Sequence, residues 1–78
     1  MGTAPKIEAC HVAVGAKIRI IREALGLTQD EVAHRVGLNR TSVTNVEAGR
    51  QRLVLHDVET FARALGTTPR NILKGIWT

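Results

Sequence analysis

The apolar positions of this chain fall into five short runs at helical spacing, and no segment alternates with the period of a strand. From His11 to Leu25, the residues Val14, Ile18, Ile21 and Leu25 mark one face, while Lys17, Arg19 and Glu23 fall on others. This predicts an amphipathic first helix, ended by Gly26. Residues 1–10, with Gly2 and Pro5, read as a flexible arm, although the pattern leaves open an extension of the helix back toward Lys6. Thr28 and Glu31 have the spacing of a capping box and open a second helix with Val32, Ala33 and Val36 inward, stopped at Gly37. Asn39, ahead of Ser42, caps a third helix from about Arg40 to Glu47. Its Val43 and Val46 face inward, and Arg40, Thr41, Thr44 and Asn45 are left outward.

A fourth helix is expected from about Leu55 to Leu65, with Leu55, Val58, Ala62 and Leu65 on one stripe, Phe61 beside it, and Gly66 at its end. Val54 is a poor cap, so this helix starts at Leu55 or somewhat later, with Asp57 near its first turn. Thr68 followed by Pro69 signals a short fifth helix carrying Ile72 and Leu73. The fold class is therefore all-α, with residues 11–78 forming a single domain behind the arm. Only Gly37, Leu38 and Asn39 join the second and third helices, so the two must turn sharply against each other. That is the geometry of a helix-turn-helix, with Ala33 small enough for close approach and Gly37 tolerant of a positive φ.

Composition narrows the possible functions. Seventy-eight residues allow one modest core, and with Phe61 and Trp77 as the only aromatics it must be built from Val, Ile, Leu and Ala. A net charge of +4 favours an anionic partner, nucleic acid or an acidic membrane surface. No apolar run nears the roughly 20 residues of a membrane span, and the N-terminus has no signal-peptide pattern, so a cytoplasmic location is expected. Cys10 is the one cysteine and could form a disulfide only between chains. His11, His34 and His56 show no metal-ligand spacing, so neither a metal nor a cofactor is expected. There is no nucleophile and base constellation and no phosphate loop, so no catalytic residues are assigned and an enzyme is not expected.

Leu27-Thr28-Gln29, Ala33, Gly37-Leu38, Glu47-Ala48-Gly49-Arg50 and the helix end Ala64-Leu65-Gly66 form an ordered set at fixed spacings. In this the chain resembles the phage repressor and Cro family of XRE-type regulators, over about Ile18 to Leu73. The resemblance implies a five-helix, lambda-repressor-like DNA-binding domain, encoded by a bacterium or phage and associated with the nucleoid when bound. In a helix-turn-helix the second helix enters the major groove, which makes Arg40, Thr41, Thr44 and Asn45 the candidate base readers. Arg40 suits guanine O6 and N7, and Asn45 suits adenine N6 and N7. The resemblance implies a phosphate contact for Gln29, and Asn39, Arg50 and Arg52 join it as candidate phosphate ligands. It also implies a salt bridge between Arg22 and Glu47.

Leu53 and Val54 depart from the family pattern, where proline and a capping residue are common. Together with Ile72, Ile76 and Trp77 they are expected to line a homodimer interface, which would place two recognition helices in successive major grooves of double-stranded DNA. The leading expectation is a sequence-specific transcription regulator, a repressor by promoter occupancy. The alternative is an antitoxin-like subunit that binds DNA and also a protein partner. Lys17, Arg19, Arg63, Arg70, Lys74, His34 and His56 read as ordinary surface residues.

Overall fold

The computed structural model describes residues 7–76. Five helices follow one another: α1 (Ile7–Ala24), α2 (Gln29–Val36), α3 (Arg40–Glu47), α4 (Leu55–Ala64) and α5 (Pro69–Leu73). The first begins at Ile7, so the end of the expected arm, Ile7 to Cys10, is helical. Residues 1–6 and Trp77 lie outside the described residues, and with Trp77 goes one member of the expected interface.

Local chemistry sets the helix ends. Thr28 Oγ1 accepts from the Glu31 N–H at 3.0 Å while the Glu31 carboxylate accepts from the Thr28 N–H at 2.8 Å, which closes the capping box of α2. That carboxylate is held below its usual range, first by the Thr28 backbone N–H and then by the Thr28 side chain. Gly37 takes φ +76, and the chain reverses there as the Leu38 N–H returns to the Ala33 carbonyl at 2.9 Å. Asn39 Oδ1 accepts from the Ser42 N–H at 2.8 Å and starts α3. Valine offers α4 no side-chain acceptor, yet the helix begins at Leu55. Asp57 holds that end by accepting from the Val54 N–H at 3.1 Å.

Val14 and Ile18 of α1, Val32 and Ala33 of α2, Val43 and Val46 of α3, and Val58, Phe61 and Ala62 of α4 meet in one core. α1 packs against α3 and α5, α2 against α3 and α4, and α4 against α5. Three expectations are corrected. Leu25 is 52% and Leu55 70% exposed, because each sits at a helix end where the inward face has already turned away from the core. Ile72 is completely buried in the core, so its side chain has no surface to offer a partner subunit.

Candidate nucleic-acid interface

The helix-turn-helix is held to α1 by one buried ionic contact. Arg22 Nε donates to Glu47 Oε2 at 2.6 Å, Nη2 donates to Glu47 Oε1 at 3.0 Å, and Nη1 donates to the Leu27 carbonyl at 2.8 Å. Both residues are buried, with Arg22 9% and Glu47 8% exposed. Such a pair survives burial because each of its nitrogens and carboxylate oxygens has a hydrogen-bond partner. Hydrogen bonding to Glu47 raises the guanidinium above the ordinary arginine range, against the opposite pull of burial.

Gln29 extends this contact to the outer face of α3. Its Nε2 donates to Glu47 Oε1 at 3.0 Å, and because a carboxylate oxygen only accepts, the amide oxygen must face the other way. That oxygen lies 2.9 Å from Thr44 Oγ1, which is also 3.0 Å from the Arg40 carbonyl. A hydroxyl has a single proton, so Thr44 donates to one of these at a time. The first turn of α2 is thus tied by side chains to the last turn and the middle of α3.

The outward residues of α3 differ in their freedom. Arg40 and Thr41 are exposed, while Thr44 and Asn45 are half-buried. Asn45 Oδ1 accepts from Arg50 Nη1 at 3.3 Å, which draws the third residue after α3 toward its outer face. Arg50 and Arg52 are exposed on the connection between α3 and α4. Asn39 spends its side-chain oxygen on the cap and keeps its amide N–H groups free of any hydrogen bond to the described residues. A shallow cleft of about 450 Å³ lies at the N-terminus of α2, lined by Arg22, Leu27, Thr28, Gln29, Asp30 and Arg40. Arg22 is already paired with Glu47, so the positive character of the cleft rests on Arg40 and the opening amides of α2, with the Asp30 carboxylate in opposition.

A second, apolar groove of about 380 Å³ opens on another side, lined by residues that include Leu53, Val54, Leu55, Val58 and Leu73. Leu53 is half-buried there and Val54 exposed, whereas Ile76 is half-buried against the core. His34 and His56 are exposed.

Sequence reasoning missed Gly15. A methyl group there would come within 3.0 Å of the Val46 carbonyl oxygen and lie 3.1 Å from its carbon and 3.2 Å from the Glu47 carbonyl oxygen, so this glycine lets α1 approach the last turn of α3. Gly49, at φ +77, is restricted likewise: a methyl would lie 2.6 Å from Val12 Cγ2 and 2.8 Å from Val12 Cα. Among the described residues no group of acidic, histidine or cysteine side chains could hold a metal ion, and no helix is long and apolar enough to cross a membrane.

Comparison with known proteins agrees with this geometry. Residues 13–72 match the model of a helix-turn-helix domain family. The chain is 32% identical over 60 residues to the control protein C.BamHI of Bacillus amyloliquefaciens, covering 76% of this chain and 74% of that protein. It is 47% identical over 49 residues to an HTH-type transcriptional regulator of Methanothermobacter thermautotrophicus, covering 63% of this chain and 71% of that one. Among solved structures, the restriction-modification controller protein C.AhdI from Aeromonas hydrophila superposes with a TM-score of 0.77 at 36% identity, covering 82% of this chain and 97% of that chain. With its five helices, its turn at Gly37 and these relatives, the chain belongs to the helix-turn-helix family of XRE-type DNA-binding transcription regulators, which are not enzymes.

Proposed function

We propose that the protein is a sequence-specific regulator that inserts α3 into the major groove of a pseudo-palindromic operator as a homodimer, repressing by occupancy of promoter DNA. The observation that carries this reading is the side-by-side placement of the exposed N-terminal end of α3, with Arg40 and Thr41, and the cleft at the start of α2. A duplex presents base edges beside a phosphate ridge, and this surface offers a helix for the first and opening amides for the second. Arg40, Thr41, Thr44 and Asn45 read bases in this scheme. Gln29, Asn39, Arg50 and Arg52 grip phosphates. Thr44 donates to a base only by withdrawing its proton from Gln29 or the Arg40 carbonyl, whereas its lone pairs and methyl group can meet a base without that change.

Dimerisation uses the apolar groove, where Leu53, Val54 and Leu55 expose surface that a second copy can cover, and Ile76 adds the part of its side chain left open. The similarity to control and controller proteins supports a regulator working in the cytoplasm on double-stranded DNA.

Selection of bound duplexes from a random pool, followed by binding measurements on variants, tests the division of labour. Arg40→Ala should relax discrimination at one base pair by about 1 to 3 kcal/mol, whereas Arg50→Ala should weaken all sequences alike and lower the salt slope by about one. Uniform loss in both variants would refute the assignment of readers and clamps. A chain that sediments as a monomer at high concentration and on its selected duplex would refute the homodimer.

A further inference from the structure

The connection from Ala48 to Val54 is fastened mostly to the two helices it joins. Gly49 N–H goes to the Val46 carbonyl, Arg50 N–H to the Asn45 carbonyl at 2.9 Å, and Val54 N–H to the Asp57 carboxylate. One bond differs: Leu53 N–H donates to His11 Nδ1 at 3.1 Å, crossing 42 residues of chain to α1. Among the described residues it is the only hydrogen bond that ties this connection to an element outside α3 and α4.

We propose that His11 is a positioning residue for DNA binding, a neutral imidazole whose Nδ1 lone pair sets the connection that carries Arg50 and Arg52. This rests on the reading of those arginines as phosphate clamps. A backbone N–H can only donate, so the ring proton must sit on Nε2 and Nδ1 must be bare. Protonation turns Nδ1 into a second donor facing the Leu53 N–H, and the bond is lost.

His11 is half-buried on the wall of the apolar groove, where Cys10 of α1 is the other titratable side chain among the described lining residues. On α4 the Asp57 carboxylate accepts from the Val54 N–H through one of its two oxygens, and the neighbouring His56 is exposed. The connection contributes Arg52 and α5 is followed by Lys74, both cationic. As the imidazole protonates, the connection loses its tie to α1, and the clamp on one side and the Leu53 and Val54 surface on the other slacken together.

His11→Asn separates this role from simple packing, because the asparagine side-chain oxygen reaches nearly the place of Nδ1 and accepts at every pH. His11→Phe fills the space without an acceptor. In the full-length chain free of DNA, the Leu53 amide proton resonance should move with pH in the native protein and stay flat in His11→Asn. Affinity for a duplex selected from random sequence, measured at constant ionic strength from about pH 8 to about pH 5.5, should fall roughly fivefold more in the native protein than in His11→Asn. His11→Phe should bind weakly throughout, and circular dichroism reports whether it folds.

A Leu53 resonance that titrates equally in the native and asparagine proteins, or identical affinity profiles, would overturn the proposal. Failure of every variant to bind any duplex at any pH, with the Leu53 amide still following His11, would instead remove the DNA-binding reading and leave His11 as a fastener of the fold.

Discussion

Replacing Gly15 by Ala sets two effects of opposite sign against each other. In a helix interior Ala is favoured over Gly by about 1 kcal/mol, so propensity alone makes the variant more stable. Packing opposes this, since the added methyl would come within 3.0 Å of the Val46 carbonyl oxygen while also crowding the Val46 carbon at 3.1 Å and the Glu47 oxygen at 3.2 Å. These are backbone atoms of the last turn of α3 and cannot rotate away. Restoring ordinary carbon contact needs α1 and α3 to part by on the order of 1 Å. Overpacking of this kind costs about 3 kcal/mol at the upper end of its usual range. With the gain of about 1 kcal/mol set against it, a net loss of about 2 kcal/mol is expected. In a domain of this size that lowers Tm by about 8 to 16 °C. Thermal unfolding followed by circular dichroism reads the answer, with Ala16→Gly, on the exposed side of the same helix, as the control for propensity alone. A Gly15→Ala protein that melts higher than the native chain would refute the argument.

Glu47→Ala should destabilise the fold by about 3 to 5 kcal/mol, because it strands the buried Arg22 charge, and Gln29 loses its acceptor as well; an unchanged urea midpoint would contradict this. The depressed Glu31 carboxyl stabilises the fold above its ordinary value of 4.5 and ceases to do so as pH falls through its lower folded value. Melts in the acid range should therefore depend less on pH in Glu31→Gln than in the native protein, and equal slopes would remove the capping box from the account. Leu55→Ser exchanges an exposed apolar residue, so the monomer should keep its stability while sedimentation equilibrium shows weaker self-association. An unaltered dimer would move the interface away from the groove.

The helices were legible because their ends carry local chemistry. Thr28 with Glu31, Asn39 ahead of Ser42 and Thr68 with Pro69 act within a few residues, and the structure starts α2, α3 and α5 at those points. Inward faces were harder at the ends of helices, where Leu25 and Leu55 match the periodicity but project past the core. Ile72 failed for a related reason, since five residues of α5 are too few to define a face. The contacts between elements left little trace in the sequence. An isolated glycine in a helix reads only as a weak point, and nothing local told that Gly15 meets Val46. The contacts of Gln29 with Thr44 and of His11 with Leu53 likewise needed the chain folded.

The contact between Gly15 and the last turn of α3 gives that helix the mechanics of a lever. Val43 and Val46 cushion its inner side, but its ionic fastening to α1 and its closest backbone approach both lie at the Glu47 end. Arg40 is at the far tip, about 10 Å away along eight residues of helix. A tilt of about 5° at the fulcrum therefore sweeps the tip by about 1 Å, comparable to the tolerance of a hydrogen bond. On the proposed reading, the choice of sequence is then set partly from behind, by the bare backbone of a glycine on α1.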